Sequence, residues 1–397
     1  MVSADSRHFD VVIFGATGFT GQLVAEYFAR NVPLTDIRWA IAGRNLQKLV
    51  EVREHLTTIE PACERLAVLS ADISSDESIL TMAKDTRVVL TTVGPYAEYG
   101  EPLVKACVEA GTDYCDITGE PSFVSSMRAK YHDRAVKAGV RIVNCCGFDS
   151  IPADAGALFT VLQMSSSEPK RVRAFVSAHG KASGGTWHSA IKAMAEMRSA
   201  TKPDKAVESG GSKPSGPRWK RPGVHQEKAV KGWGLPMPVI DPSIVKRSSR
   251  SHPAYGDGFG YGQYLRVSSL KKAMTLMAGV AGVFAGAQFK PTRQWLLGKL
   301  QPGQGPDEET RNKSSFRLTF IGQAGKEQVI TAVSGGDAGY TETSKMLSEC
   351  GLMLAEGGDT LPERSGVLTP VEAFGETLIH RLTNRGIGFE VVDKQAN

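Results

Sequence analysis

Residues 11–21 read Val-Val-Ile-Phe-Gly-Ala-Thr-Gly-Phe-Thr-Gly, a short apolar run that passes at once into regularly spaced glycines. Val11–Phe14 has the character of a strand buried on both faces of a parallel sheet. Gly15 permits a sharp turn, Gly18 removes a Cβ where a phosphate would approach the backbone, and Gly21 lets a helix pack close to the strand. Leu23, Val24, Tyr27 and Phe28 follow at helical spacing, giving that helix one apolar face. Its N-terminus directs N–H groups and the positive end of its dipole at whatever occupies the turn. The pattern Gly-x-x-Gly-x-x-Gly is one residue longer at its start than the commonest dinucleotide fingerprint. Placed between a strand and an amphipathic helix, it reads as a pyrophosphate cradle, with Gly15, Ala16, Thr17, Gly18, Phe19 and Thr20 as the expected contacts. A ligand-free turn would use the same glycines for packing alone.

The next strand refines the expected ligand. It runs Trp-Ala-Ile-Ala-Gly from Trp39 and is followed by Arg44 and Asn45, with no acid. NAD-preferring domains place Asp or Glu there, on the ribose 2′-hydroxyl. A guanidinium instead suits a 2′-phosphate. Lys48, one helical turn on, adds charge. These residues point to NADP(H), with Asp72 bordering the adenine; a solvated arginine capping a strand is the plainer alternative.

Strand and helix signals alternate to residue 150. Strands are expected at 66–69, 88–90, 113–117 and 140–145, and a helix at 101–110. This is the pattern of an α/β doubly wound parallel sheet, the Rossmann architecture, with ligands at the carboxyl ends of its strands. Val93, Gly94 and Pro95, after the fourth strand, are expected on the nicotinamide side. The second half changes character: strand patterns at 171–177, 316–321 and 328–333 and helical spacing at 185–198 and 341–355 indicate an α+β substrate or dimerisation domain. The expected division is 1–150 for dinucleotide binding, 151–360 for the second domain, and 361–397 as a helix and strand returning to the first. A homodimer is the expected assembly.

Composition excludes several classes. The 397 residues are 41% hydrophobic and 22% charged, as in soluble globular proteins. The six cysteines form no Cys-x-x-Cys pair and no histidines cluster with them, so no metal site is expected. The polar N-terminus runs straight into the first strand, and a cytoplasmic location is expected, peripheral at a membrane or lipid droplet. The net charge of +5 is uneven: residues 201–253 hold 11 Lys and Arg against 4 Asp and Glu. That stretch, rich in Pro, Gly and Ser, reads as a long irregular insertion. It carries no nucleic-acid motif, and nucleic acid is not expected as a partner. Residues 273–289 contain no charge and are flanked by Lys271, Lys272 and Lys290. Three readings compete for this run: a buried core helix, a helix lying in a membrane surface together with neighbouring residues 271–297, and a membrane span.

Several segments then resemble one family. Phe14–Gly21, Ala42–Arg44, Val93–Tyr96 with Tyr99–Pro102, Asp116–Pro121, Gly147–Asp154, Ser183–Thr186 and Gly366–Pro370 are together similar to the saccharopine-dehydrogenase-like oxidoreductases, nearest to the trans-acting enoyl reductases and their lipid-droplet-associated animal relatives. The resemblance covers almost the whole chain and is loosest at 200–310. It implies a nicotinamide-binding Rossmann domain joined to an α/β domain. It further implies reduction of a polyketide or fatty-acyl double bond carried by a separate synthase. Such chemistry needs hydride at the β-carbon, a proton at the α-carbon and a stabilised enolate oxygen. Tyr96, Asp149 and His188 are the candidate catalytic residues. Tyr96 is equally readable as a packed aromatic, Asp149 as a helix cap, and His188 as structural. Two other functions compete: a nucleotide-binding scaffold at a lipid surface with little or no turnover, and imine reduction of the saccharopine-reductase kind.

Overall fold

The computed structural model describes residues 7–180, 191, 219–299 and 305–395. The chain forms two compact units, each taking its residues from two stretches: Met1–Phe148 with Tyr340–Thr377, and Asp149–Gly339 with Leu378–Asn397.

The first unit alternates strand and helix: β1 (Phe9–Phe14), α1 (Phe19–Asn31), β2 (Trp39–Gly43), α2 (Leu46–Ile59), β3 (Ala67–Ser70), α3 (Asp76–Lys84), β4 (Thr86–Thr91), α4 (Tyr96–Ala110), β5 (Asp113–Asp116), α5 (Pro121–Ala138) and β6 (Arg141–Val143). All strand pairs are parallel, in the order β6-β5-β4-β1-β2-β3. The order reverses between β1 and β4, so the crevice for a dinucleotide opens over their carboxyl ends. The central strands are apolar because helices cover both faces; every residue of β2 is buried.

The second unit begins with α6 (Ile151–Leu162) and β7 (Arg171–His179). It continues through β8 (His225–Glu227), β9 (Gly232–Pro236), α7 (Asp241–Ser248), β10 (Gly260–Val267), α8 (Leu270–Ala287), α9 (Lys290–Leu297), α10 (Glu308–Asn312), β11 (Ser315–Ala324) and β12 (Glu327–Gly335). The chain then returns to the first unit with α11 (Thr341–Glu356), β13 (Gly366–Leu368) and α12 (Pro370–Phe374). β13 pairs in parallel with β6 and extends that sheet. Finally α13 (Thr377–Asn384) leads to β14 (Gly388–Gln395), which pairs with β12 in the second unit. The return is therefore placed differently from the 361–397 expected: 341–356 already belongs with the first unit, and the last strand with the second.

The second sheet runs β14-β12-β11-β7-β10-β9-β8 and is antiparallel except at β7–β10. Helix α6 packs on it, with Thr160 Oγ1 2.6 Å from Thr331 Oγ1 and Phe159 edge-on to Phe389 at 5.7 Å.

Two expectations need correction. The basic stretch 201–253 is not irregular where it is described. Residues 219–253 include β8, β9 and α7; β10 supplies the hydrogen-bonding edge for β9, and β9 that for β8, which this Gly- and Pro-rich sequence could not signal. The helix expected at 185–198 lies outside the described residues apart from Ile191, which is fully buried beside Ala287 and Leu296. The uncharged run is helical, as α8, but it is not a core helix. Only Ala273 and Ala287 of α8 are buried, and Met274, Phe289 and Trp295 are 61%, 64% and 62% exposed.

Candidate functional site: the dinucleotide crevice

The cradle is built as the glycine spacing requires. Gly15 has φ +91°, and a Cβ there would lie 2.5 Å from Val93 Cγ2 in the loop after β4. A Cβ at Gly21 would collide with the Gly15 carbonyl, so the close approach of α1 to the turn depends on that glycine. Gly18 is exposed and caps α1 without a side chain, and the first turn of α1 holds no acid. An uncapped positive helix end above a backbone cradle matches a pyrophosphate. Ala16 is buried, whereas Thr17, Phe19 and Thr20 are partly exposed along the turn.

Arg44 follows β2 with its side chain in solvent, and Lys48 is likewise exposed one turn into α2. Asn45 caps α2, accepting from the Lys48 N–H at 3.0 Å, and the first turn of α2 has no acid. Asp72, at the end of β3, accepts from the Ser74 N–H at 2.9 Å and the Ser74 hydroxyl at 2.8 Å. Those bonds, with the Arg44 charge nearby, hold its carboxyl below the usual value. Two cationic side chains at a second helix N-terminus fit a 2′-phosphate.

Over the other half of the crevice, two carboxylates tie the loops together. Glu120, in the loop after β5, accepts from the N–H groups of Tyr96 at 3.0 Å and Ala97 at 2.9 Å. It thus caps α4, whose own N-cap is Pro95, reached through the cis Gly94–Pro95 peptide. Asp116, at the end of β5, is fully buried and accepts from backbone and side chains of the loops after β5 and β6. Val93 and Pro95 are partly exposed and Gly94 is exposed, lining the mouth between these ties.

Two of the three catalytic nominees are described, and they differ in character. The Tyr96 hydroxyl donates to the Thr91 carbonyl at 3.0 Å and accepts from the Ile117 N–H at 3.4 Å. Its ring packs on Phe123 at 5.8 Å and the residue is buried. Burial, with Asp116 next in effect, drives its proton affinity well above that of a free phenol. Tyr96 locks the loop after β4; its proton is committed to Thr91. Asp149 is exposed and is not the cap of α6. That position belongs to Ser150, whose hydroxyl points instead at Asp241 Oδ1, 3.3 Å away. His188 and the Ser183–Thr186 turn lie outside the described residues. Sequence reasoning gave no role to Tyr114 and Asn144, although both bond Asp116; their only signal was position, Tyr114 within β5 and Asn144 directly after β6.

A profile of the saccharopine dehydrogenase NADP binding domain matches residues 11–143. A mouse (Mus musculus) saccharopine dehydrogenase-like oxidoreductase is 35% identical over 98% of this chain and 99% of its own length. The chain belongs to the saccharopine dehydrogenase-like oxidoreductases. The human member is 34% identical over the same shares. A Mycobacterium tuberculosis relative, provisionally named a trans-acting enoyl reductase, is 35% identical over 98% of this chain and 99% of its own. Among solved structures, saccharopine dehydrogenase (L-Glu forming) of Saccharomyces cerevisiae shares the fold. It has a TM-score of 0.53 at 12% identity, over 96% of this chain and 99% of that one. As a member of this family the chain is an NADP-dependent oxidoreductase, and the cradle, Arg44 and Lys48 are the residues that fit NADP.

Proposed function

We propose that this saccharopine dehydrogenase-like oxidoreductase uses NADPH to reduce a lipid-like or polyketide acyl substrate, at an enoyl double bond, while resting on a lipid surface. The observation that carries this reading is the exposed apolar face of α8 and α9. Met274, Met277, Val280, Phe284, Phe289 and Trp295 all stand in solvent beside Lys271, Lys272 and Lys290. A large exposed apolar face rimmed by cations is matched to a lipid interface. With Lys271 and Lys272 in its first turn and only 18 residues, α8 suits a surface better than a span. The provisional name of the mycobacterial relative, a trans-acting enoyl reductase, supports the reaction type; an acyl chain carried by a separate synthase is part of the proposal.

NADPH bound in the crevice supplies the hydride. Reduction of an enoyl thioester would place that hydride on the β-carbon and a proton on the α-carbon, leaving the saturated acyl chain and NADP⁺. This chain's own residues hold the pyrophosphate at Gly15–Thr20, the 2′-phosphate at Arg44 and Lys48, and the loops after β4 to β6 through Glu120 and Asp116. With the Tyr96 hydroxyl committed to Thr91, the exposed acid Asp149 is the described nominee for proton delivery.

The test is NADPH oxidation with trans-2-enoyl thioesters of increasing chain length, set against an amino acid plus aldehyde, with and without anionic vesicles. Oxidation that rises with acyl length and with vesicles supports the reading. Oxidation only with the amino acid and aldehyde assigns imine reduction instead. Binding of NADPH without oxidation in any mixture assigns a nucleotide-binding scaffold.

A further inference from the structure

Asp116 closes β5 and is surrounded by donors. Oδ1 accepts from the Thr118 N–H and the Cys145 N–H, both at 3.0 Å. Oδ2 accepts from Asn144 Nδ2 at 2.7 Å and the Tyr114 hydroxyl at 3.0 Å. Its own carbonyl accepts from the Cys146 N–H at 2.7 Å. One residue therefore joins the loop after β5 to the loop after β6. Cys145 has φ +65°, left-handed backbone for a residue with a Cβ. Such a conformation persists only where its surroundings over-determine it, and it concentrates at ligand-binding sites. Here the bond to Asp116 Oδ1 does that work.

Position gives the clamp its meaning. The pyrophosphate turn follows β1 and the 2′-phosphate residues follow β2, so the adenosine half lies over β1–β3. The other half of a dinucleotide crossing the crevice extends over β4–β6. We propose that Asp116 is a positioning residue for the nicotinamide half of NADP, holding the β5 and β6 loops, and the left-handed turn at Cys145, in the shape that half requires. It touches no reacting atom. The inference rests on NADP binding by the first unit and deepens that assignment.

The chemistry of the clamp distinguishes variants. In Asp116→Asn, Oδ1 still accepts from Thr118 and Cys145. The new amide N–H₂ can donate to Asn144 Oδ1, which has no partner among the described residues, once that amide turns over, and Tyr114 can turn its hydroxyl to accept. Asp116→Ala removes every acceptor. Asp116→Ala with Cys145→Gly removes the acceptor but also the need to hold the turn, since glycine adopts φ +65° freely.

The experiment is calorimetric titration of the full chain with NADP⁺ and, separately, with adenosine 2′,5′-bisphosphate, which carries only the adenosine end. Binding of both by the wild type is the control for the underlying assignment. The expected result for Asp116→Asn is affinity within about threefold for both ligands. For Asp116→Ala, NADP⁺ affinity falls at least tenfold while the bisphosphate is unchanged, and adding Cys145→Gly recovers part of the loss. If Asp116→Ala does not fold, the double variant carries the comparison: NADP⁺ weakened with the bisphosphate intact supports the role. Equal loss of both ligands, or no loss of either, in whichever alanine variant folds, overturns it.

Discussion

Glu120 accepts the backbone N–H of Tyr96 at 3.0 Å, so a side chain from the loop after β5 closes the N-terminus of the helix that follows β4. With the neighbouring bond from Ala97, the carboxylate supplies a cap that Pro95 cannot. Charge-assisted bonds of this kind contribute about 1.5–3 kcal/mol in total. Glu120→Ala is expected to lower unfolding free energy by about 2 kcal/mol, read from urea denaturation, with Glu120→Gln recovering part of it. A loss below about 0.5 kcal/mol would mean that water replaces the cap.

Tyr96→Phe tests whether the hydroxyl is structural. The ring and its packing on Phe123 are kept, while the buried bond to the Thr91 carbonyl and the longer one from the Ile117 N–H are lost. The expected cost is about 1 kcal/mol of stability, with kcat for NADPH oxidation reduced less than about tenfold. A kcat loss near a thousandfold with unchanged stability would restore Tyr96 as the proton donor.

Asp116 also leaves a signature in the pH dependence of stability. Burial raises its carboxyl from the usual 3.8 to about 6, even against the lowering effect of four donors. Tyr114, Tyr96 and Cys115 are the titratable groups that feel its charge, and no cation is among the causes of the shift. Between about pH 4 and 6 the folded protein holds a proton there that the unfolded chain has released. This group therefore lowers stability as pH rises through that window, by up to about 3 kcal/mol, and adds nothing further above it. Asp116→Asn lacks the titration. The stability difference, variant minus wild type, is expected to grow in the variant's favour from pH 4 to 7 in parallel denaturation series. A difference that stays flat would show that Asp116 is ionised throughout.

The apolar face of α8 makes a prediction independent of catalysis. Val280 and Phe284 are 42% and 37% exposed, so Val280→Asp with Phe284→Asp is expected to leave the melting temperature within a few degrees. Flotation with anionic vesicles is expected to fall at least tenfold. Unchanged partition of the folded variant would remove the lipid surface from the proposed function.

The parts of the fold that could be read from sequence are those where burial writes a pattern. β1 and β2 are apolar runs because helices cover both faces of a parallel sheet, and the glycine turn between β1 and α1 has one geometry. A strand returning to the first sheet is expected within 361–397, but its place is not: β13 is three residues long and is a strand only because β6 offers an open edge more than two hundred positions earlier. β8 and β9 are hidden in the same way, β9 being held by β10 and β8 in turn by β9. For α8, composition specified a helix and its apolar side, but not whether anything covers that side. In the crevice, residue types at strand ends were legible and their directions were not. Nothing local shows that the Tyr96 hydroxyl turns back to Thr91, or that the cap of α6 is Ser150 with its hydroxyl drawn to Asp241.

The most direct measurement of the central claim, an NADP-specific crevice set by Arg44, is the dissociation constants of NADPH and NADH for the wild type and for Arg44→Ala. A guanidinium on the 2′-phosphate is worth about 1.5–3 kcal/mol, or roughly 10–100-fold. The expected result is wild-type preference for NADPH of at least about tenfold, collapsing towards parity in Arg44→Ala with NADH affinity unchanged. Equal binding of the two dinucleotides by the wild type, or a preference that survives in Arg44→Ala, would contradict it.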